Sequence, residues 1–348
     1  MEISLTLLDA AGSVALLLWG VRMVQTGVQR AFGTRLRTAL GVALSSRIGA
    51  FMAGLGVTTL LQSSTATGLM VTGFATGGLV ELVPALAVML GANVGTTLIV
   101  QVLSFDVAAA APALILIGVV MFRRGTGSTR DLGRVLIGLG LLLVSLHQLL
   151  QVMTPYEAMP SLQGLAGAMS NRPVLDVIIA AGITWAAHSS VAVVLLVMAF
   201  AAKGVVPPVA ALAFVLGANL GTAINPVLEG GAGREGAARR VPLGNLINRV
   251  AGIVIVLPLL PEVTRLMTAF APDPARAVAD FHTLFNLAVA AVFLPLLTPY
   301  ARLLARCFPV RARAADPARP MYLDQVAIET PAVALGAAAR EALRLADV

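Results

Sequence analysis

Two polar clusters interrupt an otherwise apolar sequence: Thr58, Thr59, Gln62, Ser63, Ser64, Thr65 and Thr67, then Thr184, His188, Ser189 and Ser190. Hydroxyls and amides both donate and accept, so such clusters can hold an anion or a cation. If a cluster breaks a helix, the new helix start presents free N–H groups and about half a positive charge, which suits an oxyanion. The carbonyls freed by the same break, with Ser and Thr oxygens, suit a hard monovalent cation such as Na+. The clusters contain no Arg or Lys. A multiply charged anion held there would need co-bound cations, so the pair points to cation-coupled anion movement and not to a simple pore. His188 beside Ser189 invites a nucleophilic reading. Adjacent helical residues point apart, however, and no matched carboxylate orients the ring, so an enzyme is not expected.

An isolated Ser-Ser pair in an apolar helix usually bonds back to carbonyls or packs against a neighbour. Here the pair occurs twice. The shift of 126 residues that carries Ser63 to Ser189 aligns Gly54–Val100 with Ala180–Pro226 without a gap. About 20 of the 47 paired positions are identical, against roughly 10–15% from skewed composition alone. The polar identities weigh most: Thr58 with Thr184, Ser63-Ser64 with Ser189-Ser190, and Gly91-Ala92-Asn93 with Gly217-Ala218-Asn219, followed by Gly95-Thr96 with Gly221-Thr222. This is a duplication.

The elements that position these clusters lie in a membrane. Apolar residues make up 58% of the 348 and charged residues 12%, with a mean hydropathy of +0.91. Soluble domains carry roughly 25% charged residues, and runs of about 20 apolar residues recur here. The net charge of +7 resides in arginine clusters between apolar runs, without the interleaved aromatics of a nucleic-acid platform. The single cysteine, Cys307, excludes an internal disulfide. Met1 to Asp9 carries Glu2 and Asp9 and lacks a basic start, so 11–29 reads as a retained membrane segment.

Placing each arginine cluster in the cytoplasm gives one topology. Segment 11–29 runs inward, 48–76 enters and returns, 82–103 crosses outward to Asp106, and 108–122 crosses back. Segment 135–153 then runs outward, 154–172 lies outside, 174–202 dips in from there, 205–228 crosses inward, and 241–260 with 281–300 form a final hairpin. The expected fold is an all-α polytopic membrane protein of two inverted-topology repeats, each with a re-entrant helical hairpin and a broken transmembrane helix. The first repeat is 1–134, with its hairpin at about 48–76 and GANVGT at 91–96. The second is 135–305, with its hairpin at about 174–202, GANLGT at 217–222 and the final helical pair. Residues 306–348 form a cytoplasmic tail. The expected breaks fall at Gly54, Gly56, Gly68, Gly73, Gly77, Gly78, Gly182, Lys203, Gly204, Pro207 and Pro208, and again within each GANxGT segment. Glu81, Asp106 and Lys203 sit at segment ends, where snorkelling to the interface explains them.

The runs QSSTAT at 62–67 and HSSVAV at 188–193, with the paired GANxGT segments, resemble the type II sodium/phosphate cotransporter family, whose repeats each carry a Gln-Ser-Ser-Ser motif. The stretches RRVPLGNLIN at 239–248 and ADFHTLFN at 279–286 are similar to its helix starts. The resemblance implies symport of Na+ with inorganic phosphate across the bacterial inner membrane by alternating access, with the N-terminus outside and the C-terminus cytoplasmic. It places Ser63, Ser64, Thr65, His188, Ser189 and Ser190 around phosphate. It places Gln62, Thr58, Thr184, Thr96 and Thr222 at or beside Na+, with Asn93 and Asn219 shaping the turns there. No organic cofactor is expected; the lipid bilayer and a homodimer are the expected surroundings.

The chain departs from that pattern at Thr65, at Val191 and at His188, which replaces Gln. A protonated His188 would add charge to the anion site, which makes pH-sensitive transport an expectation. Residues 320–348 resemble the opening of a PhoU-like helical domain, with TPAVALGAAAREALRLA as an amphipathic helix. Two other functions fit the sequence. One is a phosphate or other anion exporter of the same fold. The other is a membrane phosphate sensor or assembly platform for cytoplasmic regulators.

Overall fold

A computed structural model of the chain describes residues 2–42, 46–104, 108–154, 172–231, 236–309, 322 and 331–346. Asp106, most of the expected outer loop at 154–172, Arg234 and most of the tail before 331 lie outside the described residues. No strand occurs among the described residues. The helices are α1 (Glu2–Val42), α2 (Arg47–Leu61), α3 (Ser64–Thr76), α4 (Leu82–Leu103), α5 (Ala111–Arg124), α6 (Gly127–Met153) and α7 (Pro173–Ala187). They continue with α8 (Ser190–Ala202), α9 (Pro208–Gly231), α10 (Ala237–Val256), α11 (Leu260–Phe270), α12 (Pro274–Cys307) and α13 (Pro331–Ala346).

Among the described residues six stretches are long and apolar enough to cross a bilayer: Leu5–Thr38, Leu82–Leu103, Gly127–Met153, Pro208–Glu229, Ala238–Phe270 and Pro274–Cys307. The chain is an all-α polytopic membrane protein. Two of the six, α4 and α9, are 78% and 72% buried over their apolar windows, against 28–39% for the others, so they form the centre. The outer helices expose Leu116, Ile117, Val254 and Ile255, as lipid-facing surfaces do. Segment 11–29 is the middle of the 41-residue α1. Segment 108–122 is a 3-10 turn at Ala108–Ala110 followed by the 14-residue α5, together about 27 Å long.

Helices α2 and α3 have 15 and 13 residues, as do α7 and α8. At 1.5 Å per residue none exceeds about 23 Å, too short to cross a hydrocarbon core of about 30 Å alone. Each pair reverses at its Ser-rich tip, at the expected place. The expected breaks at Gly77 and Gly78 and at Lys203, Gly204 and Pro207 are there, as turns that follow α3 and α8 with Gly78 and Gly204 left-handed (φ 66° and 67°), and Pro208 opens α9; the others are not. Gly54, Gly56, Gly68, Gly73 and Gly182 lie inside helices, and α4 and α9 run unbroken through GANVGT and GANLGT.

At Gly54 and in the GANxGT segments the reason is close packing. A Cβ on Gly91 would collide with the carbonyl of Phe51, and one on Gly95 with that of Leu55. In the second copy, Gly217 and Gly221 meet the carbonyls of Val177 and Ala181 in the same way. Small residues four apart let α2 lie against α4, and α7 against α9, nearly backbone to backbone. The cost of Gly in a helix, about 1 kcal/mol, is offset by that approach. The register also gives direction: α2 runs parallel to α4, and α7 to α9.

Long-range contacts order the remaining helices. Gln101 near the end of α4 donates to Asp280 and Thr283 of α12, both at 2.9 Å, and Arg276 of α12 donates to Ser104 at 3.0 Å. The α4 C-terminus therefore meets the α12 N-terminus. Pro208 at the start of α9 lines a small cavity with Pro274, Ala277 and Val278 of α12. At the other end of α12, the Phe308 carbonyl accepts from Arg240 at the start of α10 at 3.0 Å. Helix α13 docks by Val333 on the core and by Arg340, which donates to the Gly77 carbonyl at 3.1 Å, at the foot of the first hairpin.

Candidate functional site

The two tips share one backbone conformation. Gln62 ends α2 in the left-handed region (φ 52°, ψ 28°), and His188 ends α7 likewise (φ 55°, ψ 23°). Ser63 and Ser189 then extend the chain (φ −147°, ψ 103° and φ −150°, ψ 106°). Each serine caps the following helix, its Oγ accepting from the N–H of Ala66 or Ala192 at 3.2 Å. A capping hydroxyl still carries its own proton, free to donate. The first N–H groups of α3 and α8 lack intrahelical partners. Left-handed backbone at Gln and His costs roughly 1–2 kcal/mol each, strain of a kind that collects at functional sites.

The surroundings of the two tips differ. Gln62 is buried; its carbonyl accepts from Gln25 Nε2 at 2.9 Å, and its Oε1 has no partner. His188 is exposed, with Nε2 3.1 Å from Glu229 Oε1 and Nδ1 3.3 Å from the Ala186 carbonyl. The ring does have a carboxylate, one that spacing in the sequence did not reveal, but it turns toward Glu229 while the Ser189 hydroxyl is engaged as a cap. Thr58 and Thr67 share a hydroxyl bond of 2.8 Å inside the first hairpin. In the second, Val193 stands where Thr67 does, and the Thr184 hydroxyl is buried without a partner, as is that of Ser64. Thr65, Ser189 and Ser190 are buried at the tips as well.

Buried polar atoms are nearly always bonded, so the unpartnered Gln62 Oε1, Ser64 Oγ and Thr184 Oγ1 stand out in the two hairpins. Thr184→Val should hold or raise the ligand-free melting temperature, because no bond is lost and an unpartnered buried hydroxyl is removed. The same variant should lose much of the stabilisation conferred by ligand. Melting curves in detergent with and without phosphate and Na+ check both halves.

The GANxGT asparagines meet at the centre. Asn93 donates to Asn245 at 2.8 Å, and its Oδ1 accepts from Arg249 at 2.6 Å. Asn219 Oδ1 accepts from Arg249 at 2.8 Å and from Asn286 at 3.0 Å, and its backbone carbonyl accepts from Arg249 too. The Thr96 and Thr222 hydroxyls bond back to the carbonyls of Asn93 (2.8 Å) and Ala218 (2.9 Å). Arg249 is 2% exposed, and no described carboxylate lies within ion-pair distance of it. Its Nε, both nitrogens of His282, both side-chain polar atoms of Asn225 and Asn248 Oδ1 are buried without partners. The asparagines thus do not shape turns, and the centre is not neutral: one guanidinium joins the two copies.

A family model described as Na+/Pi-cotransporter matches residues 16–151 and 156–269. The chain belongs to the Na+/Pi-cotransporter family. It is 41% identical over 344 residues to "Putative inorganic phosphate export protein YjbB" of Escherichia coli (strain K12), an alignment covering 99% of this chain and 63% of that protein. The protein of that name in Salmonella typhimurium is 40% identical over the same length. "Uncharacterized protein YqeW" of Bacillus subtilis is 26% identical over 307 residues, covering 88% of this chain and all of that protein. The chain therefore spans under two thirds of the length of the relatives named for phosphate export. No solved structure matches.

Within this Na+/Pi-cotransporter family member, the residues expected at phosphate all lie at the hairpin tips. Those expected at Na+ divide. Gln62, Thr58 and Thr184 stay with the hairpins, while Asn93, Thr96, Asn219 and Thr222 lie on α4 and α9, bonded internally or to Arg249. Sequence reasoning missed Arg249, Asn245, His282 and Asn286. A signal was present: an arginine within the apolar run 241–260, directly after RRVPLGNLIN, because a charge at membrane depth marks a functional site.

Proposed function

We propose that this chain is the transport unit of a secondary phosphate carrier, in which Ser63, Ser64 and Thr65 of one hairpin and Ser189, Ser190 and His188 of the other cradle one phosphate. The observation that carries the reading is the shared tip conformation, which sets a capped helix start with spare N–H and O–H donors at each break. The two copies are read as inverted, and helix directions support this. The α4 end meets the α12 start, while α9 and α12 start together, so α4 and α9 run oppositely and carry their hairpins with them. Two oppositely directed hairpins give alternating access its two gates.

Export is the direction in the names of the relatives at 40–41% identity, and we take it as the net direction here. Sodium-driven uptake is the second reading. It rests on the family description and on the orphan oxygens of Gln62, Ser64 and Thr184, which suit Na+ as a co-transported ion. Labelled-phosphate flux in proteoliposomes separates them. Export predicts downhill efflux without a Na+ gradient; uptake predicts accumulation only with one. No flux in either arrangement would sink both, leaving the sensor or platform reading.

The His188 ring meets Glu229 Oε1 at 3.1 Å and so ties the second tip to α9, a contact we take to shape the site's response to pH. The pH–rate profile of His188→Gln should be flatter than that of wild type between about pH 5 and 8. Identical profiles would exclude the role.

A further inference from the structure

We infer that Arg249 is a built-in counter-cation that stands in for a coupling ion at the centre of the protein, so that phosphate moves without obligatory Na+. The inference rests on the reading of the chain as a phosphate carrier and deepens it. Asn93 and Asn219, one from each copy, lie at matched positions inside the central helices α4 and α9. In this chain both side-chain oxygens accept from a single guanidinium, at 2.6 and 2.8 Å, and the Asn219 carbonyl accepts from it as well. A hard cation would take the same oxygens, so the guanidinium and Na+ compete for one place, and Arg249 holds it covalently.

The charge is otherwise uncompensated. Arg249 is fully buried, and no described carboxylate pairs with it. Arginine does not shed its proton to escape burial, as lysine can. Asparagine oxygens accept from its terminal nitrogens without neutralising it, and its Nε has no partner, so the protein carries a buried positive charge, which an entering anion would relieve. Helix α10, which carries Arg249, packs against α3 and α9 and so lies between the first hairpin and the second copy's central helix. One fixed positive charge matches a singly charged phosphate with no further ion. A carrier so arranged runs phosphate down its own gradient, which suits export.

The test uses the full chain reconstituted in liposomes loaded with labelled phosphate, with Na+ present or replaced on both sides by N-methylglucamine. Wild-type efflux should keep most of its rate without Na+. Arg249→Met should lose about tenfold or more of the Na+-free rate, the loss expected when a charge-assisted contact goes, and adding Na+ should restore part of it. Arg249→Lys, which keeps the charge, should fall between the two. Strict Na+ dependence of the wild type would overturn the inference while leaving the phosphate reading intact, as would unchanged Na+-free flux in Arg249→Met. No wild-type flux in either medium would overturn the phosphate reading itself. If Arg249→Met fails to fold, the wild-type Na+ titration still decides.

Discussion

Replacing Ser63 and Ser189 together by alanine should lower phosphate flux by about 100-fold or more, with protein still recovered folded from the membrane. Each hydroxyl has two roles at its tip. As an acceptor it caps the next helix at Ala66 or Ala192, a contact worth about 1 kcal/mol. As a donor it would face the anion of the proposed site, and a hydrogen bond to a charged group contributes roughly 1.5–3 kcal/mol. The double variant removes both contributions at both tips. The donor contributions alone reach about 100-fold, because 1.4 kcal/mol is a factor of ten. Flux in proteoliposomes, normalised to folded protein by size-exclusion profile, is the measurement. A double variant with more than about a third of wild-type flux would show that the tips do not hold the anion.

Gly91→Val should destabilise the protein by about 3 kcal/mol or more, because the added carbon meets backbone and not a side chain that can turn away. The carbonyl of Phe51 and the backbone at Leu55 face this glycine, so α2 must leave α4 and the first tip must leave its place. Gly182→Ala is the matched control: it too is a glycine inside a duplicated helix, with nothing within 4 Å of its Cβ position. It should hold or slightly raise the melting temperature, since Ala favours a helix by about 1 kcal/mol over Gly. Thermal unfolding in detergent compares the two. Equal melting temperatures would refute close packing as the purpose of the GxxxG pair.

These two variants also mark the limit of what sequence can reveal. The hairpins were legible because duplication left Ser63-Ser64 and Ser189-Ser190 in register, and polar identities at matched offsets have few other causes in an apolar chain. The two tips share one backbone conformation. The glycines were misread because Gly weakens a helix in isolation, whereas in a membrane it also lets helices touch, and only the neighbour decides between these. Gly91 faces Phe51 and Leu55, 36 to 40 positions away, a pairing that no local pattern encodes. The partners of Arg249 were hidden for a related reason. The arginine's place within the apolar run 241–260 signalled a functional charge, but only the fold shows that it meets asparagines 30 and 156 positions away. The partnership of His188 with Glu229 is likewise tertiary.

Equilibrium binding of labelled phosphate to the purified chain tests most directly the claim that both tips serve one anion. The account predicts one saturable phosphate per chain, with Ser64→Ala and Ser190→Ala each weakening that same site. Two phosphates per chain, each lost with one serine alone, or binding indifferent to both serines, would contradict it.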